Sequence, residues 1–318
     1  MTVLILTRDF DPTSDHVIEA LNRRRAPVLR CDVADFPLKL EFTATLAESW
    51  AGALRTQERV LDLSEVTGIY YRRPTRFRFP SGMSDSHRAW AEVEARLGFL
   101  GTLAALPRWL NHPSRIANAE YKPLQLRVAR ELGLRVPETI VTNVASDAKA
   151  FATGLGRPVI YKPFSPRGVI DEDGRQHLLF ATPVTAEQID DPALHLTTHM
   201  IQEYVAHTHA VRLCVVDTDM FAAEIHSGSI AGHLDWRKDY AALKYSRTTP
   251  PAHIRATVQS FMSHFDLRFG AFDFLVDESG RWVFLEINPN GQWAWIPEVA
   301  PMIASALATA LQEGRPRE

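Results

Sequence analysis

The fold is decided by the segment 270–288, which reads GAFDFLVDESGRWVFLEIN. Its two halves are rich in aromatic and branched residues, and the residues DESG between them have the composition of a tight turn. If Asp277 pairs with Trp282, the register of this predicted hairpin places Asp273 directly opposite Glu286. Alternation then gives the hairpin one apolar face, which is predicted to hold Phe272, Phe274, Val276, Val283, Leu285 and Ile287.

The opposite face of the predicted hairpin gathers oxygen ligands, namely Asp273, Glu286 and, two residues on, Asn288. Two carboxylates that face each other across neighbouring strands repel. A hard cation such as Mg²⁺ between them removes that repulsion, because it binds carboxylate and amide oxygens. A cation with few protein ligands commonly takes the others from phosphates. The hairpin therefore predicts a magnesium site beside a phosphate-bearing ligand.

The bulk composition limits the class of protein. The chain has 318 residues, of which 46% are hydrophobic and 23% charged, and its formal net charge is −3. This length predicts two or three domains. The lack of a dominant basic stripe argues against nucleic-acid binding, and no apolar run reaches the roughly 18 residues of a membrane span. The first seven residues lack the features of a signal peptide, so we expect a cytoplasmic protein.

The N-terminal third is predicted to form an open α/β domain over residues 1–112. Strands are expected at 3–7, 27–32 and 68–71, and helices from about Ser14 to Arg25 and from Ser84 to about Ala105. Ser14 or Asp15 is expected to cap the first helix. No Gly-x-Gly-x-x-Gly follows the first strand, which argues against dinucleotide binding there.

Two further domains are predicted, a small α+β domain over 113–200 and a domain with an antiparallel sheet over 201–318. The central part is expected to contain helices at 122–132 and after Ser146, and strands at 138–142, 158–162 and 177–180. A loop with Pro163, Pro166, Gly168 and Gly174 precedes the last of these strands. From residue 199 onward we expect strands at 199–205, 209–217 and 220–226, and helices at about 252–265 and 299–311.

Two lysines are candidate phosphate ligands. Lys162 ends an apolar strand just before the Pro/Gly loop, where a lysine is poorly solvated unless an anion such as a nucleotide phosphate pairs with it. The alternative is an edge lysine that reaches solvent. Lys122 is a weaker candidate, because a lysine at the start of a helix is unremarkable.

The next candidates lie on two apolar strands. The first strand ends with Gln202, Glu203, Tyr204 and Val205. This segment is either an ordinary strand end, or its side chains and backbone hydrogen-bond an adenine edge in an apolar cleft. Arg212 lies in an alternating strand, where it forms either a surface ion pair or an interaction with a transferring phosphoryl group.

Two arginine-containing runs could contact a substrate. Arg72 and Arg73, after a buried strand, could clamp an acidic group bidentately or merely cap the strand. Asp235, Trp236 and Arg237 lie in a polar stretch that could be an inert solvated loop or could grip a peptide acceptor. Composition leaves both pairs of alternatives open.

The histidines and cysteines show no metal-ligand spacing. His207 and His209 share one strand face, but no cysteine or third histidine supports a zinc site, so we interpret them as structural. Cys31 and Cys214 each lie in an apolar strand-like run, which predicts buried thiols rather than a disulfide or a metal pair. We find neither a Gly-x-Ser-x-Gly motif nor a convincing nucleophile with its base.

Taken in chain order, these residues resemble the ATP-grasp superfamily. The shared order is a strand lysine, a connector acid, a strand arginine, an aspartate and Glu-x-Asn, which here are Lys162, Glu203, Arg212, Asp273, Glu286 and Asn288. Four further segments resemble the microviridin-type peptide maturases, which make ω-ester or ω-amide crosslinks in ribosomal peptides (graspetides). They are YYRRP at 70–74, DWRKDY at 235–240, RFGAFD at 268–273 and FLEINPNGQW at 284–293.

The resemblance implies an ATP-grasp fold and a role for each candidate. ATP would contact Lys122, Lys162, Gln202, Glu203, Tyr204, Val205, Asp273 and Glu286. Mg²⁺ would be bound by Asp273, Glu286 and Asn288, while Arg212 and Lys162 would take part in catalysis. The peptide substrate would contact Arg72, Arg73, Asp235, Trp236, Arg237 and Trp293. The loop after Lys162 departs from the usual glycine-rich form, so the resemblance does not determine how this loop closes over ATP.

The resemblance also implies an activity. An Asp or Glu side chain of a ribosomal precursor peptide would be activated by ATP as an acyl phosphate, and a Ser or Thr hydroxyl or a Lys amine would then form the crosslink. The partners would be that precursor, with its leader and a core rich in Thr, Ser or Lys and in Asp or Glu, and a second copy of the chain in a homodimer. Two alternatives stay open, an ATP-grasp amino-acid or glutamate ligase acting on a small molecule or protein tail, and a non-catalytic nucleotide-binding regulatory module.

Overall fold

A computed structural model describes residues 1–165 and 168–314. Pro166, which belongs to the predicted loop after Lys162, lies outside the described residues. The described chain has the mixed α/β fold that the sequence predicts, and it contains five β-sheets. Within it, no helix has both the length and the apolar character needed to cross a bilayer.

The N-terminal part contains a parallel three-stranded sheet and a small antiparallel one. Its elements are β1 Thr2–Thr7, α1 Pro12–Arg23, β2 Val28–Cys31, β3 Glu41–Leu46, β4 Trp50–Arg55, β5 Val60–Asp62, β6 Val66–Arg72, α2 Asp85–Glu94, a π-helical turn Ala95–Leu100 and α3 Gly101–Ala104. The parallel sheet has the order β2-β1-β6, which confirms the predicted open α/β arrangement. The antiparallel sheet β3-β4-β5 was not predicted.

The predicted cap of α1 is wrong. The helix begins one turn earlier, because the carboxylate of Asp11 accepts a hydrogen bond from the N–H of Thr13 and Pro12 occupies the first turn. Proline suits that position, since its missing N–H has no partner within the helix. Ser14 instead donates its hydroxyl to the carbonyl of Asp11.

The rest of the chain forms two larger antiparallel sheets with their helices. Its elements are α4 Pro113–Ala119, α5 Lys122–Glu131, β7 Thr139–Thr142, α6 Ala145–Leu155, β8 Val159–Tyr161, β9 Val169–Ile170, β10 Gln176–His177, β11 Thr182–Pro183, α7 Ala186–Ile189, β12 His199–Glu203, β13 His209–Val216, β14 Asp219–Ser227, α8 Ile230–Leu234, β15 Leu243–Thr248, α9 Ala252–His264, β16 Phe269–Val276, β17 Trp282–Asn288 and α10 Ala300–Glu313. The sheets have the orders β11-β8-β12-β7 and β15-β14-β13-β16-β17, and β9 pairs with β10. The strand predicted at 177–180 is reduced to β10, and β9, β11 and β15 were not predicted.

The opening hairpin is formed by β16 and β17, with a bulge. Asp273 lies opposite Glu286 as predicted, but beyond that pair the register shifts by one and Val276, not Asp277, pairs with Trp282. The extra residue, Leu285, leaves the apolar face, and Phe284 takes its place there. Val283 and Leu285 were therefore assigned to the wrong face.

The two faces of the five-stranded sheet have different neighbours. On one face, Phe272 and Phe284 pack with Phe261 of α9 in a core that also includes α5. On the other face, Cys214 and Ala271 join a second core with α10. Residues further along the same strands on that face, such as Arg212 and Asp273, lie beyond α10 and line an open cavity. Both cysteines are buried and free, as predicted.

Helix α10 contacts β6 so closely that Gly68 has no room for a side chain. A Cβ on Gly68 would lie 2.2 Å from the carbonyl oxygen of Leu311. We expect Gly68→Ala to lower the free energy of unfolding by about 2–3 kcal/mol, since backbone on both sides must move. Urea unfolding measures this difference. Gly98→Ala, whose Cβ would meet open space, serves as the control, and equal stability of the two variants would contradict the predicted close contact.

Candidate active site

A cavity of about 520 Å³ lies between the four-stranded and the five-stranded sheet. Strands β8 and β12 form one wall, and β13, β16 and β17 form the other. Most of the predicted site residues line it. They are Arg73, Lys122, Lys162, Gln202, Glu203, Tyr204, Val205, Arg212, Asp235, Trp236, Arg237, Asp273, Glu286 and Asn288.

Three oxygen-bearing side chains meet on the hairpin wall. Nδ2 of Asn288 lies 3.2 Å from Oε1 of Glu286 and 3.4 Å from Oδ2 of Asp273. A flip of the Asn288 amide by 180° exchanges its nitrogen and oxygen, and so brings Oδ1 close to both carboxylates. Two carboxylates and one amide are a donor set that suits Mg²⁺ with the remaining ligands from phosphate or water. The residues present therefore fit the implied metal, although no group of three acidic, His or Cys ligands occurs among the described residues.

Each of the two carboxylates has a cationic partner. Arg212 donates through Nη1 to both oxygens of Asp273 (2.7 and 2.8 Å), while its Nη2 donates to the carbonyl of Gln292 (2.8 Å). Lys122, at the start of α5, forms an ion pair with Glu286. Burial raises the pKa of Asp273, and the charge of Glu286 adds to this while Arg212 opposes it. Burial alone would also raise the pKa of Glu286, but Lys122 and Lys162 outweigh it and hold that pKa below its usual range.

The low pKa of Glu286 makes the stability of the protein depend on pH. A carboxylate whose folded pKa lies below its unfolded value of about 4.3 stabilises the fold above that pH and loses the effect as the pH falls through the folded pKa. We therefore expect the free energy of unfolding to fall below about pH 4.3 by more in the wild type than in Glu286→Gln. Urea titrations of both proteins across this range measure the difference. Parallel pH profiles would contradict the ion pair.

Lys162 is a buried cation of the cavity, and no counter-ion among the described residues contacts it. Only 8% of its surface is exposed, and no carboxylate of the described chain lies within ion-pair distance of its ammonium group. Burial lowers its pKa, an effect that Glu286 opposes. A buried ammonium is costly unless an anion joins it, so this position favours binding of an anionic ligand.

Part of the cavity wall is apolar and adjoins a polar strand edge. Ile160, Phe180, Leu275 and Leu285 line it. Leu285 faces the cavity because of the bulge in β17. Leu275 was not predicted as a site residue, although it lies two residues after Asp273 and therefore on the same face of β16. Gln202 donates to the hydroxyl of Thr139, and its buried Oε1 has no hydrogen-bond partner.

The connector strand presents Glu203 in an unexpected way. Its carboxylate forms ion pairs with Arg157 and Arg135 and accepts from the N–H of Glu138, so it is already bound by the protein. Tyr204 and Val205 follow it along the cavity wall.

The mouth of the cavity carries an aromatic cluster. Trp236 stacks on Trp295 with 4.6 Å between ring centroids, and Tyr240 packs edge-on against both rings. Arg237 is held by Asp235 through two hydrogen bonds of 2.6 and 2.8 Å. Sequence reasoning identified Trp236 but missed Trp295, for which the only signal was its place just after the Glu-x-Asn run.

Two of the predicted substrate residues do not reach the cavity. Arg72 is fully buried, where its Nε lies 2.8 Å from Oδ2 of Asp11 and its Nη1 donates to the carbonyls of Asn290 and Gly291. Trp293 is fully buried in the core beside α10. Arg72 and Trp293 therefore make contacts in the protein interior. Of the adjacent arginines Arg72 and Arg73, only Arg73 lines the cavity, where it is exposed at the rim.

Three histidines, His207, His209 and His233, lie at the cavity wall. His207 stacks on His233 with 4.2 Å between ring centroids and hydrogen-bonds through Nδ1 to the carbonyl of Val205 (2.9 Å). Burial lowers the pKa of His207, so its ring is neutral near pH 7. His209 lines the cavity as well.

Because Gly291 has no side chain, the guanidinium of Arg212 can lie next to it. A Cβ here would lie 2.5 Å from Cβ of Ala271 and 2.9 Å from Nη2 of Arg212. We expect Gly291→Ala to displace the guanidinium and to lower kcat by about 10- to 100-fold, since a misplacement of about 1 Å has effects of that size. Steady-state ADP release measures it. Gly154→Ala, with open space around its Cβ, is the control, and unchanged kcat in Gly291→Ala would show that the position of Arg212 is not critical.

Comparison with known proteins agrees with this geometry. The family model described as MvdD pre-ATP grasp domain matches residues 2–117. Among curated protein sequences, none matches the chain.

Several solved structures share the fold over nearly the whole chain. Macrocyclase MdnC from Microcystis aeruginosa MRC, solved bound with precursor peptide MdnA, is 27% identical with a TM-score of 0.86, covering 99% of this chain and 100% of MdnC. A RiPP-associated ATP-grasp ligase from Chryseobacterium gregarium, solved with ADP and a leader and core peptide, is 26% identical with a TM-score of 0.91, covering 99% and 98%. Macrocyclase MdnB from Microcystis aeruginosa MRC is 27% identical with a TM-score of 0.80, covering 98% of each chain.

The fold, the matched N-terminal domain and the ordered lysine, arginine and Glu-x-Asn residues agree with one another. Residues 2–117 match the MvdD pre-ATP grasp domain, and nearly the whole chain is similar in sequence and fold to RiPP ATP-grasp ligases and macrocyclases.

Proposed function

We propose that the protein is an ATP-dependent peptide ligase that crosslinks side chains of a ribosomal precursor peptide. One observation carries the proposal. A single cavity brings together two lysines, the Arg212–Asp273 pair and the Glu286/Asn288 oxygens, and part of its wall is apolar. This arrangement suits a nucleoside triphosphate better than a neutral ligand, because the cavity has both a cationic, metal-binding part and an apolar part.

ATP would lie along the cavity with its adenine at the apolar part of the wall. Leu275, Leu285 and Ile160 would make apolar contacts with the adenine ring, and the unpartnered Oε1 of Gln202 would accept a hydrogen bond from its amino group. Lys122 and Lys162 would bind the phosphates. Asp273, Glu286 and Asn288 would hold Mg²⁺, which neutralises phosphate charge when it is bound.

The chemistry needs no covalent enzyme nucleophile. An Asp or Glu carboxylate oxygen of the peptide attacks the γ-phosphorus, the bond to the β-bridging oxygen breaks, and ADP leaves. A Ser or Thr hydroxyl, or a Lys amine, then attacks the acyl carbon and phosphate leaves, while the hydroxyl or amine proton passes to solvent or phosphate. Arg212 faces the place where negative charge develops and stabilises it, and Lys162 assists at the phosphates.

A peptide substrate is supported by the mouth of the cavity and by the relatives. Arg73 and Arg237 place positive charge where an acidic side chain would enter, and the Trp236–Trp295 cluster offers a broad aromatic contact. The macrocyclase MdnC was solved with a precursor peptide, and the Chryseobacterium ligase with a leader and a core peptide. We infer the same class of partner here, a leader followed by a core rich in Thr, Ser or Lys and in Asp or Glu.

We also propose that the protein acts in the cytoplasm as a homodimer. Two buried free thiols are typical of a reducing compartment. Trp90, Val93 and Leu97 are exposed along one side of α2 and its π-helical turn, and this apolar surface supports association of two chains. Sedimentation velocity tests the homodimer, and a monomer at micromolar concentration would contradict it.

The test of the function uses the purified protein with ATP, Mg²⁺ and an acidic, Thr-rich peptide with its leader, of the kind encoded by a short open reading frame beside the gene. We expect the peptide to lose one water per crosslink by mass spectrometry, with one ADP released per crosslink. Hydroxylamine should divert the acyl phosphate to a hydroxamate. ADP release that depends on free amino acids and not on the peptide would point instead to an amino-acid ligase, and nucleotide binding without turnover under any acceptor would point to a regulatory module.

A further inference from the structure

Strand β17 is the outer strand of its sheet, so the backbone groups on its free side need partners from elsewhere. Between the two ligands Glu286 and Asn288, the N–H of Ile287 donates to Oε1 of Gln125 (3.0 Å), and the carbonyl of Ile287 accepts from Nε2 of Gln125 (3.0 Å). The same Nε2 donates to the carbonyl of Ala119 (2.6 Å). One side-chain amide thus takes the place of a neighbouring strand.

This contact is buried and belongs to the helix that also reaches the site. Gln125 is only 2% exposed and is not a cavity-lining residue. It follows Lys122 by three positions, so both side chains lie on one face of α5. Helix α5 therefore supplies the ionic partner of Glu286 and the backbone partner of Ile287 together.

We propose that Gln125 is a positioning residue for the cation ligands Glu286 and Asn288. Side chains alternate along a strand, so both ligands project to the cavity from the two sides of Ile287. Rotation of the peptide units of Ile287 would move both ligands. A buried N–H or carbonyl without a partner is costly, which favours such a rotation once Gln125 is removed. The inference rests on the proposed function only for the nature of the cation.

The test measures cation binding without peptide or turnover. Gln125→Met keeps the side-chain volume and removes both hydrogen bonds to Ile287. With ADP present, Mn²⁺ binding followed by electron paramagnetic resonance is expected to weaken by about 10- to 100-fold, the usual effect of losing a partner that orients metal ligands. ADP binding without divalent cation should stay unchanged.

A control separates positioning from general loss of stability. Val128, on the same helix, is 1% exposed and packs in the core with Phe284. Val128→Ala should lower the melting temperature and leave the Mn²⁺ affinity at the wild-type value. If Gln125→Met does not fold, Gln125→Asn, whose shorter side chain withdraws the amide from Ile287, replaces it.

Each outcome is decisive. Weaker Mn²⁺ binding in the Gln125 variant, with wild-type affinity in Val128→Ala, supports the positioning role. Equal Mn²⁺ affinity in the Gln125 variant and the wild type overturns it and leaves the proposed function intact. Failure of the wild type itself to bind Mn²⁺ with ADP would overturn the metal assignment, and the inference with it.

Discussion

Glu286→Gln is expected to lower the rate of ATP-dependent crosslinking by about a thousandfold while the protein still folds. The substitution keeps the shape of the side chain and removes its charge, so the proposed cation site loses a negatively charged ligand and Lys122 loses its ionic partner. Loss of about 4 kcal/mol of charge stabilisation in the transition state corresponds to that factor at about 1.4 kcal/mol per tenfold. Single-turnover crosslinking measured by mass spectrometry gives the rate.

The control for this variant lies in the same hairpin. Glu278 is exposed in the turn between β16 and β17, and Glu278→Gln should leave the rate unchanged. Circular dichroism confirms the fold of both variants. Wild-type activity in Glu286→Gln would remove the residue from the metal site and leave Asp273 without a carboxylate partner for the cation.

Lys162→Met is expected to change stability and activity in opposite directions. Without nucleotide, the ammonium of Lys162 is buried with no carboxylate of the described chain in ion-pair contact, so an apolar side chain of similar length should raise the melting temperature. With ATP, the variant would lack the proposed phosphate contact of Lys162, and kcat/KM should fall by about 100- to 1000-fold, since a charged contact to the reacting group is worth about 3–4 kcal/mol.

Differential scanning fluorimetry with and without ATP and Mg²⁺ tests both halves of this prediction. The wild type should be stabilised by the nucleotide, and Lys162→Met should start higher and gain little. Lys149→Met removes an exposed lysine that pairs with Asp190, and it should alter neither measurement by much. A lower melting temperature of nucleotide-free Lys162→Met would mean that the ammonium already has a stabilising partner.

Local pattern was sufficient to predict much of the fold. The parallel strands, the long antiparallel strands and helices α5, α9 and α10 were predicted because their apolar periodicity is strong. The sheet β3-β4-β5 and strand β15 were missed, although Phe42, Ala44 and Leu46 alternate with polar residues along β3. This signal was weak, because both β3 and β15 are short and largely exposed. The proposed domain limits after residues 112 and 200 stay a prediction.

The candidate site shows where sequence reasoning reaches its limit. Asp273 faces Glu286 as predicted, but an assumed regular ladder concealed the bulge that turns Leu285 into the cavity. Arg72 and Arg73 are adjacent in sequence and have opposite environments, because Arg72 contacts Asp11 and the carbonyls of Asn290 and Gly291 in the interior, which are distant from it in sequence. The roles of the individual residues in ATP, metal and peptide binding stay predictions until the variants are measured.

The close fit of α10 against Gly68 has a consequence for synthesis on the ribosome. Strands β1 and β6 are made early, but their second core is completed by residues such as Ile303 and Leu307 of a helix that is made much later. During translation, this apolar side of the first sheet is therefore covered only in part, by α1, until nearly the whole chain has been synthesised. A stop codon just before α10 should thus expose the N-terminal sheet to chaperones and proteases, even though all strands that line the cavity are already complete.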